Sequence, residues 1–169
     1  MPYDPITTWI SQLNIPLLTV IAKILDSDMV FLAIIFLFAF LAEHGKKRNK
    51  LMLILILIFM FGFAMKLLIH EVRPCTEIVS KIQCPNDFSF PSNHTLVASA
   101  FAVALWKKRN GWIFSIFTVF VAFTRVYLGV HTITDVLGGA ALGIAAYLLA
   151  DILWKRIPEK FKKKLGVME

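Results

Sequence analysis

Residues 51–74 read LMLILILIFMFGFAMKLLIHEVRP. From Leu51 to Ile69 the only charge is Lys66. A helix needs about 20 predominantly apolar residues to cross hydrocarbon, so this run is a membrane span. Comparable runs cover Met29–Ala42, Trp112–Leu128 with Arg125 inside it, and Val136–Trp154 with Asp151 near its end. The 169 residues are 58% hydrophobic, with a mean hydropathy of +0.72. Soluble domains are roughly 45–50% apolar.

The pattern predicts an all-α integral membrane helical bundle. About five spans are expected, near 28–43, 50–71, 92–107, 111–128 and 132–155. Met29–Ala42 is short, so tilt or local thinning must help it. Residues 5–25 read as two short helices broken at Pro16. Ile6, Trp9, Ile10 and Leu13 share one face, and Leu17, Leu18, Ile21, Ile24 and Leu25 share another, opposed by Ser11, Gln12, Asn14 and Lys23. An amphipathic pair lying in the membrane interface fits that pattern. Asp26-Ser27-Asp28 then reads as a turn and helix cap. The expected organisation is one membrane-embedded domain: 1–27 interfacial helices, 28–155 bundle, 156–169 basic tail. No basic region precedes an apolar stretch at the N-terminus, so no cleavable signal peptide is expected. Gly139-x3-Gly143 offers a small-residue face for close helix packing.

The net charge is +7, and its distribution is more informative than its sum. Of 18 Lys and Arg, 13 fall at 46–50, 107–109 and 155–164. These stretches read as cytoplasmic under the positive-inside rule. The expected localisation is therefore a multi-pass cell-membrane protein with a cytoplasmic C-terminus. The tail also suits anionic lipid heads. Nucleic acid is not an expected partner, because no base-reading or stacking groups accompany the basic residues. The 72–91 connection is polar, contains Pro74, Pro85 and Pro91, and falls outside. Cys75 and Cys84 lie in it. An outer location favours a disulfide between them over two separate thiols.

Three polar clusters interrupt the apolar runs, where ionisable groups are costly and mark function. Lys66 and Arg73 are seven apart, which puts both cations on one face of a helix that Pro74 stops. Pro91-Ser92-Asn93-His94 opens an apolar helix, with Ser92 as its N-cap and its start as an anion site. Arg125, His131 and Asp135 stand in the spacing R-x5-H-x3-D, folded together by a tight turn at Gly129. Each cluster alone fits a structural role: snorkelling cations, an ordinary helix start, a His–Asp cap. Together they describe a phosphate site. Lys66, Arg73 and Arg125 neutralise a phosphate ester and hold its transition-state oxygens. A carboxylate at Asp135 orients His131 through Nδ1 and leaves Nε2 to attack phosphorus. His94 then protonates the leaving oxygen and later activates water. No metal or other cofactor is expected. His94, His131, Asp135 and His70 can be drawn as ligands, but three nearby cations would repel a divalent ion.

The pieces Lys66-x6-Arg73-Pro74, Pro91-Ser92-x-His94 and Arg125-x5-His131-x3-Asp135 resemble the three signature motifs of the type 2 phosphatidic acid phosphatase superfamily. That group includes vanadium haloperoxidases and bacterial acid phosphatases. The resemblance spans Lys66 to Asp135, in the family's order. It implies a metal-independent phosphatase with His131 as nucleophile, Asp135 as its partner and His94 as acid and base. It also implies phosphate binding by Lys66, Arg73, Ser92, Arg125 and the backbone N–H of Asn93. Two positions depart from the family pattern. Asn93 stands where Gly is usual, which narrows the pocket or adds an amide donor. Thr124 stands where Ser is usual and keeps the hydroxyl.

The expected function is a membrane lipid phosphatase acting at the outer face, within the bilayer. Its expected substrate is a polyprenyl (undecaprenyl or dolichyl) diphosphate, converted to the monophosphate through a phosphohistidine. A phosphatidic acid or phosphatidylglycerol-phosphate phosphatase is the nearer alternative. A lipid or anion transporter is the alternative from another class, and would move substrate without releasing phosphate. Oligomeric state is not readable from the sequence.

Overall fold

The computed structural model describes residues 4–164. Among these residues the regular structure is helical: α1 (Pro5–Gln12), α2 (Pro16–Asp26), α3 (Asp28–Ala42), α4 (Gly45–Ile69), α5 (Asn93–Leu105), α6 (Trp112–Tyr127), α7 (Ile133–Arg156) and α8 (Glu159–Lys164), with a 3-10 turn at Pro74–Thr76. Residues 1–3 and 165–169 of the expected N-terminal segment and basic tail lie outside the described residues.

Helices occupy all five expected span positions, and they differ in reach. α4 and α7, of 25 and 24 residues, are long and apolar enough to cross a membrane alone. α3, α5 and α6 are shorter, at 15, 13 and 16 residues. At 1.5 Å per residue, α5 is only about 20 Å long. It can be short because it sits at the centre, with every residue from Asn93 to Ala102 buried. α5 packs against α4, α6 and α7, and its sequence NHTLVASAFAVAL is rich in Ala and Ser. Small residues let helix backbones approach closely. The expected glycine face of α7 makes use of this: a Cβ on Gly143 would lie 2.1 Å from the Leu96 carbonyl oxygen.

The main apolar cluster joins Phe31, Ile35 and Ala39 of α3, Leu51 to Ile58 of α4, and Leu96 to Leu105 of α5. A second cluster joins Ile10 and Ala22 to Val126, Tyr127, Leu128, Val130 and Val136. It seats the N-terminal helices on the α6–α7 connection, with α1 and α2 bent by 110°. Of their apolar faces, Ile10 and Leu25 are buried. Thr7 and Ser11 are buried against the bundle, whereas Ile6, Trp9 and Leu17 are exposed. Polar contacts seat the buried side. Tyr127 Oη accepts from the Ile15 N–H at 2.9 Å and lies 2.7 Å from Thr19 Oγ1. Thr7 Oγ1 accepts the Ile133 N–H at 3.1 Å. Lys81, from the 72–91 connection, donates to the carbonyls of Ser11 and Tyr127.

The start of α4, the end of α5 and the end of α7 meet at one end of the bundle. There Lys50 and Lys155 pair with Asp151 at 2.9 and 3.1 Å, and Lys108 pairs with Glu43 at 2.9 Å. The opposite end gathers the end of α4, the start of α5 and the α6–α7 turn. That turn has Gly129 at φ 77°, and a Cβ there would strike the Val79 carbonyl oxygen at 2.4 Å. Only glycine satisfies both demands.

Candidate active site

α4 ends earlier than the Pro74 signal predicts. His70 takes a left-handed conformation at φ 56° and caps the helix after Ile69, so Arg73 stands on the loop beyond it. Arg73 and Lys66 still converge, because both reach one carboxylate. Asp87 Oδ2 lies 2.9 Å from Lys66 Nζ, and Asp87 Oδ1 accepts from Arg73 Nη2 at 2.6 Å and Nε at 3.0 Å. Lys66 also donates to the Phe88 carbonyl. Burial resists ionisation of Asp87, but the hydrogen bond from Lys66 and the charge of Arg73 outweigh it and hold the carboxyl below the usual range. A disulfide joins Cys75 to Cys84 with Cα atoms 5.6 Å apart, between Arg73 and Asp87 in the chain. His70 is set aside from this group, its ring edge-on to Phe88 at 4.5 Å.

His131 and Asp135 come together by a local device. Thr132 caps α7, accepting the Asp135 N–H on its hydroxyl, while Asp135 Oδ2 accepts the Thr132 N–H at 2.7 Å. This capping box fixes the carboxylate. The same oxygen accepts Ser89 Oγ–H at 2.5 Å and lies 3.3 Å from His131 Nδ1. His131 therefore precedes the helix rather than riding its first turn. Its Nε2 is 3.2 Å from Arg73 Nη1, which also donates to the Val130 carbonyl. Burial, reinforced by Arg73 and Arg125, pushes the imidazole below its ordinary value despite Asp135. A neutral ring keeps a lone pair on the second nitrogen.

His94 lies one residue inside α5, 5% exposed, with Phe31 against its ring at 4.4 Å. Arg125 is 3% exposed, and its Nη1 donates to Asp26 Oδ1 at 2.6 Å. Asp28 Oδ1 lies 3.7 Å from His94 Nδ1. A cavity of about 310 Å³ collects these groups, lined by Lys66, Arg73, Asn93, His94, Arg125 and His131 together with Asp26, Asp28 and Asp87. Of the expected residues, two stand behind this wall. Asp135 is fully buried behind His131. Ser92 begins α5 with no side-chain cap bond, and its hydroxyl faces Thr95 Oγ1 at 3.2 Å. Asn93 sends its amide toward α4, where Nδ2 is 3.4 Å from the Phe59 carbonyl and Oδ1 lies over Gly62.

The sequence reading missed three carboxylates of the wall, Asp26, Asp28 and Asp87, and the Ser89 hydroxyl behind it. Asp26 and Asp28 looked like a turn and cap, and Asp87 like ordinary loop polarity. With them, each of the three cations already holds a carboxylate oxygen, in the manner of phosphate oxygens.

Residues 49–158 match the family model described as the PAP2 superfamily. The undecaprenyl-diphosphatase BcrC of Bacillus subtilis (strain 168) is 31% identical over 137 residues, covering 72% of this chain and 71% of that protein. YbjG of Escherichia coli (strain K12) is 39% identical over 82 residues, 47% of this chain, so the match spans about two fifths of that protein's length, 41%. Among solved structures, a transmembrane PAP2-type phosphatidylglycerolphosphate phosphatase from Bacillus subtilis superposes with a TM-score of 0.69 at 25% identity, covering 90% of this chain and 84% of that one. The family match takes in α5, α6, α7 and nearly all of α4, the helices that bring Lys66, His94, Arg125 and His131 to one cavity, and the chain belongs to the PAP2 superfamily.

Proposed function

We propose that the chain is a metal-independent lipid phosphatase that hydrolyses a polyprenyl diphosphate to the monophosphate at the outer membrane face. The observation that carries this reading is the single cavity in which two histidines meet three cations. His131 has its Nδ1 beside Asp135, which leaves Nε2 for attack. His94 has its Nδ1 beside Asp28, and its buried Nε2 has no hydrogen-bond partner among the described residues.

The reaction runs in two balanced steps. Substrate phosphate displaces Asp87 from Lys66 and Arg73, and Asp26 from Arg125. Arg73 Nη1 leaves His131 Nε2 for a phosphate oxygen. His131 Nε2 bonds to the terminal phosphorus as its bond to the bridging oxygen breaks, and His94 Nε2 gives its proton to that oxygen as the lipid monophosphate departs. Water then attacks the phosphohistidine, losing a proton to His94 Nε2 as the N–P bond breaks and inorganic phosphate forms. Asn93, at the start of α5, presents its backbone N–H to the phosphate, and Ser92 supports it from behind. Preorganised donors of this kind supply most of the barrier reduction.

Two observations support the substrate and the face. One relative is named an undecaprenyl-diphosphatase, and a structural neighbour a phosphatidylglycerolphosphate phosphatase, so a lipid phosphate is their common chemistry. The basic stretches lie at the bundle end opposite the cavity, which the positive-inside rule assigns to the cytoplasm. Release of phosphate by detergent-solubilised protein with EDTA present tests the reading, across polyprenyl diphosphate, phosphatidylglycerol phosphate and phosphatidic acid. Polyprenyl diphosphate is expected to be turned over fastest, and His131→Ala to abolish release. Preference for phosphatidylglycerol phosphate would assign the second substrate instead. Full activity in His131→Ala, or a strict need for a divalent ion, would overturn the mechanism.

A further inference from the structure

The Asp26-Ser27-Asp28 turn delivers two carboxylates to the cavity, and they do different work. Asp26 binds the Arg125 guanidinium at 2.6 Å. Asp28 opens α3, and among the described residues the group within ion-pair distance of it is His94. The first turn of α3 thus grips the His94 ring twice: Asp28 stands 3.7 Å from Nδ1, and Phe31, three residues on and fully buried, lies against the ring face.

This arrangement repeats that of His131. In both, a carboxylate stands on the Nδ1 side; His131 Nε2 lies 3.2 Å from Arg73 Nη1, and His94 Nε2 has no hydrogen-bond partner among the described residues. His131 takes its carboxylate from four residues along its own chain segment. His94 lies 66 positions from Asp28 and receives its partner from another helix. The two contacts differ in kind: Asp135 is within hydrogen-bond distance of His131, whereas Asp28 at 3.7 Å acts on His94 by its charge, favouring the protonated ring. With Arg125 and Lys66 on the same cavity wall, a lone imidazole there would resist carrying a proton.

We infer that Asp28 is a positioning residue for His94, its carboxylate within ion-pair distance of Nδ1 favouring the protonated ring, so that Nε2 can hand its proton to the leaving oxygen and take one back from water. The inference rests on the phosphatase reading above, since it assigns His94 that acid and base role. It makes the N-terminal helices part of the active site, because α2 and the α2–α3 turn set where Asp28 stands.

The test is a double-substitution cycle on the full chain in detergent, with polyprenyl diphosphate as substrate. Asp28→Asn is expected to lower kcat about tenfold or more while KM changes little, within the hundredfold-and-greater scale of acid–base catalysis. Asp28→Glu is expected to restore much of the loss. The combined Asp28→Asn/His94→Ala protein should be no slower than His94→Ala alone, measured at high enzyme concentration, because the carboxylate acts through the ring. Thermal melting of each variant separates lost folding from lost positioning. Losses that multiply in the combined variant, or a kcat unchanged in Asp28→Asn, would overturn the inference. If wild-type protein releases no phosphate from any lipid tested, or His131→Ala keeps full activity, it is the phosphatase reading that fails.

Discussion

Asn93 occupies space that a side chain at residue 62 would need. A Cβ on Gly62 would lie 1.6 Å from Asn93 Oδ1. Asn93 stands where the family resemblance implies glycine, and α4 supplies the missing room from the other side. Gly62→Ala is therefore expected to overpack the α4–α5 contact, at a cost of about 1–3 kcal/mol. Adding Asn93→Gly should recover most of it, and non-additive melting temperatures across the cycle are the check. Asp87 invites a different substitution. Its carboxylate holds Lys66 and Arg73 where phosphate would sit. Asp87→Asn should strengthen inhibition by inorganic phosphate severalfold, read as a lower inhibition constant. It should also change the acid stability. The folded carboxyl is held below its ordinary value of 3.8, so its ion pairs stabilise fully above that pH and fail as pH falls through the folded value. The melting difference between wild type and Asp87→Asn should be largest near neutrality and close below about pH 4.

The 72–91 connection behaves as an element, although its only regular structure is the turn at Pro74–Thr76. The disulfide closes its centre, Arg73 and Asp87 clasp across its base, and Lys81 fastens it to α1 and α6, with Nζ 4.2 Å from the Tyr127 ring centre. A covalent link across so short a loop is worth about 2–4 kcal/mol. Replacing Cys75 and Cys84 by Ser should lower the melting temperature and, on the proposed mechanism, raise KM more than it lowers kcat, because the loop carries Arg73 rather than the proposed nucleophile. Intact mass without reduction establishes the bond beforehand. The loop also marks where sequence reading stops. Lys66, Arg73, His94, Arg125 and His131 were legible because each breaks or borders an apolar run. Asp87 was not, since an aspartate in a polar loop is commonplace and its partners lie 14 and 21 residues back. The same limit applies to α1 and α2. Their spacing predicts the helices, but their docking on the bundle through Tyr127 and Lys81 is revealed by no local pattern. The end of α4 was misplaced because His70 adopts a left-handed cap that Pro74 does not announce.

At the scale of the molecule, the bundle is polar at both ends, and the two ends are unlike. From Lys50 to Lys66 along α4 is about 24 Å, close to the thickness of a thin hydrocarbon layer. One end pairs Lys50, Lys108 and Lys155 with Asp151 and Glu43 and continues into the basic α8. The other holds the cavity and the disulfide loop. Among the described residues α3, α5 and α6 are too short to carry the assignment by length alone, so orientation has to come from charge. The basic end is the one that resists translocation. A cysteine introduced at Asn86, in a Cys75→Ser/Cys84→Ser background, should react with a membrane-impermeant maleimide added to intact cells. One introduced at Asn110, beside Arg109, should react only after the cells are opened. The reverse pattern would put the cavity in the cytoplasm and require the diphosphate to be reached from that side. Labelling of both positions in intact cells would mean that the helices between them do not hold the two ends on opposite faces, and the bundle would then have to sit in the membrane differently.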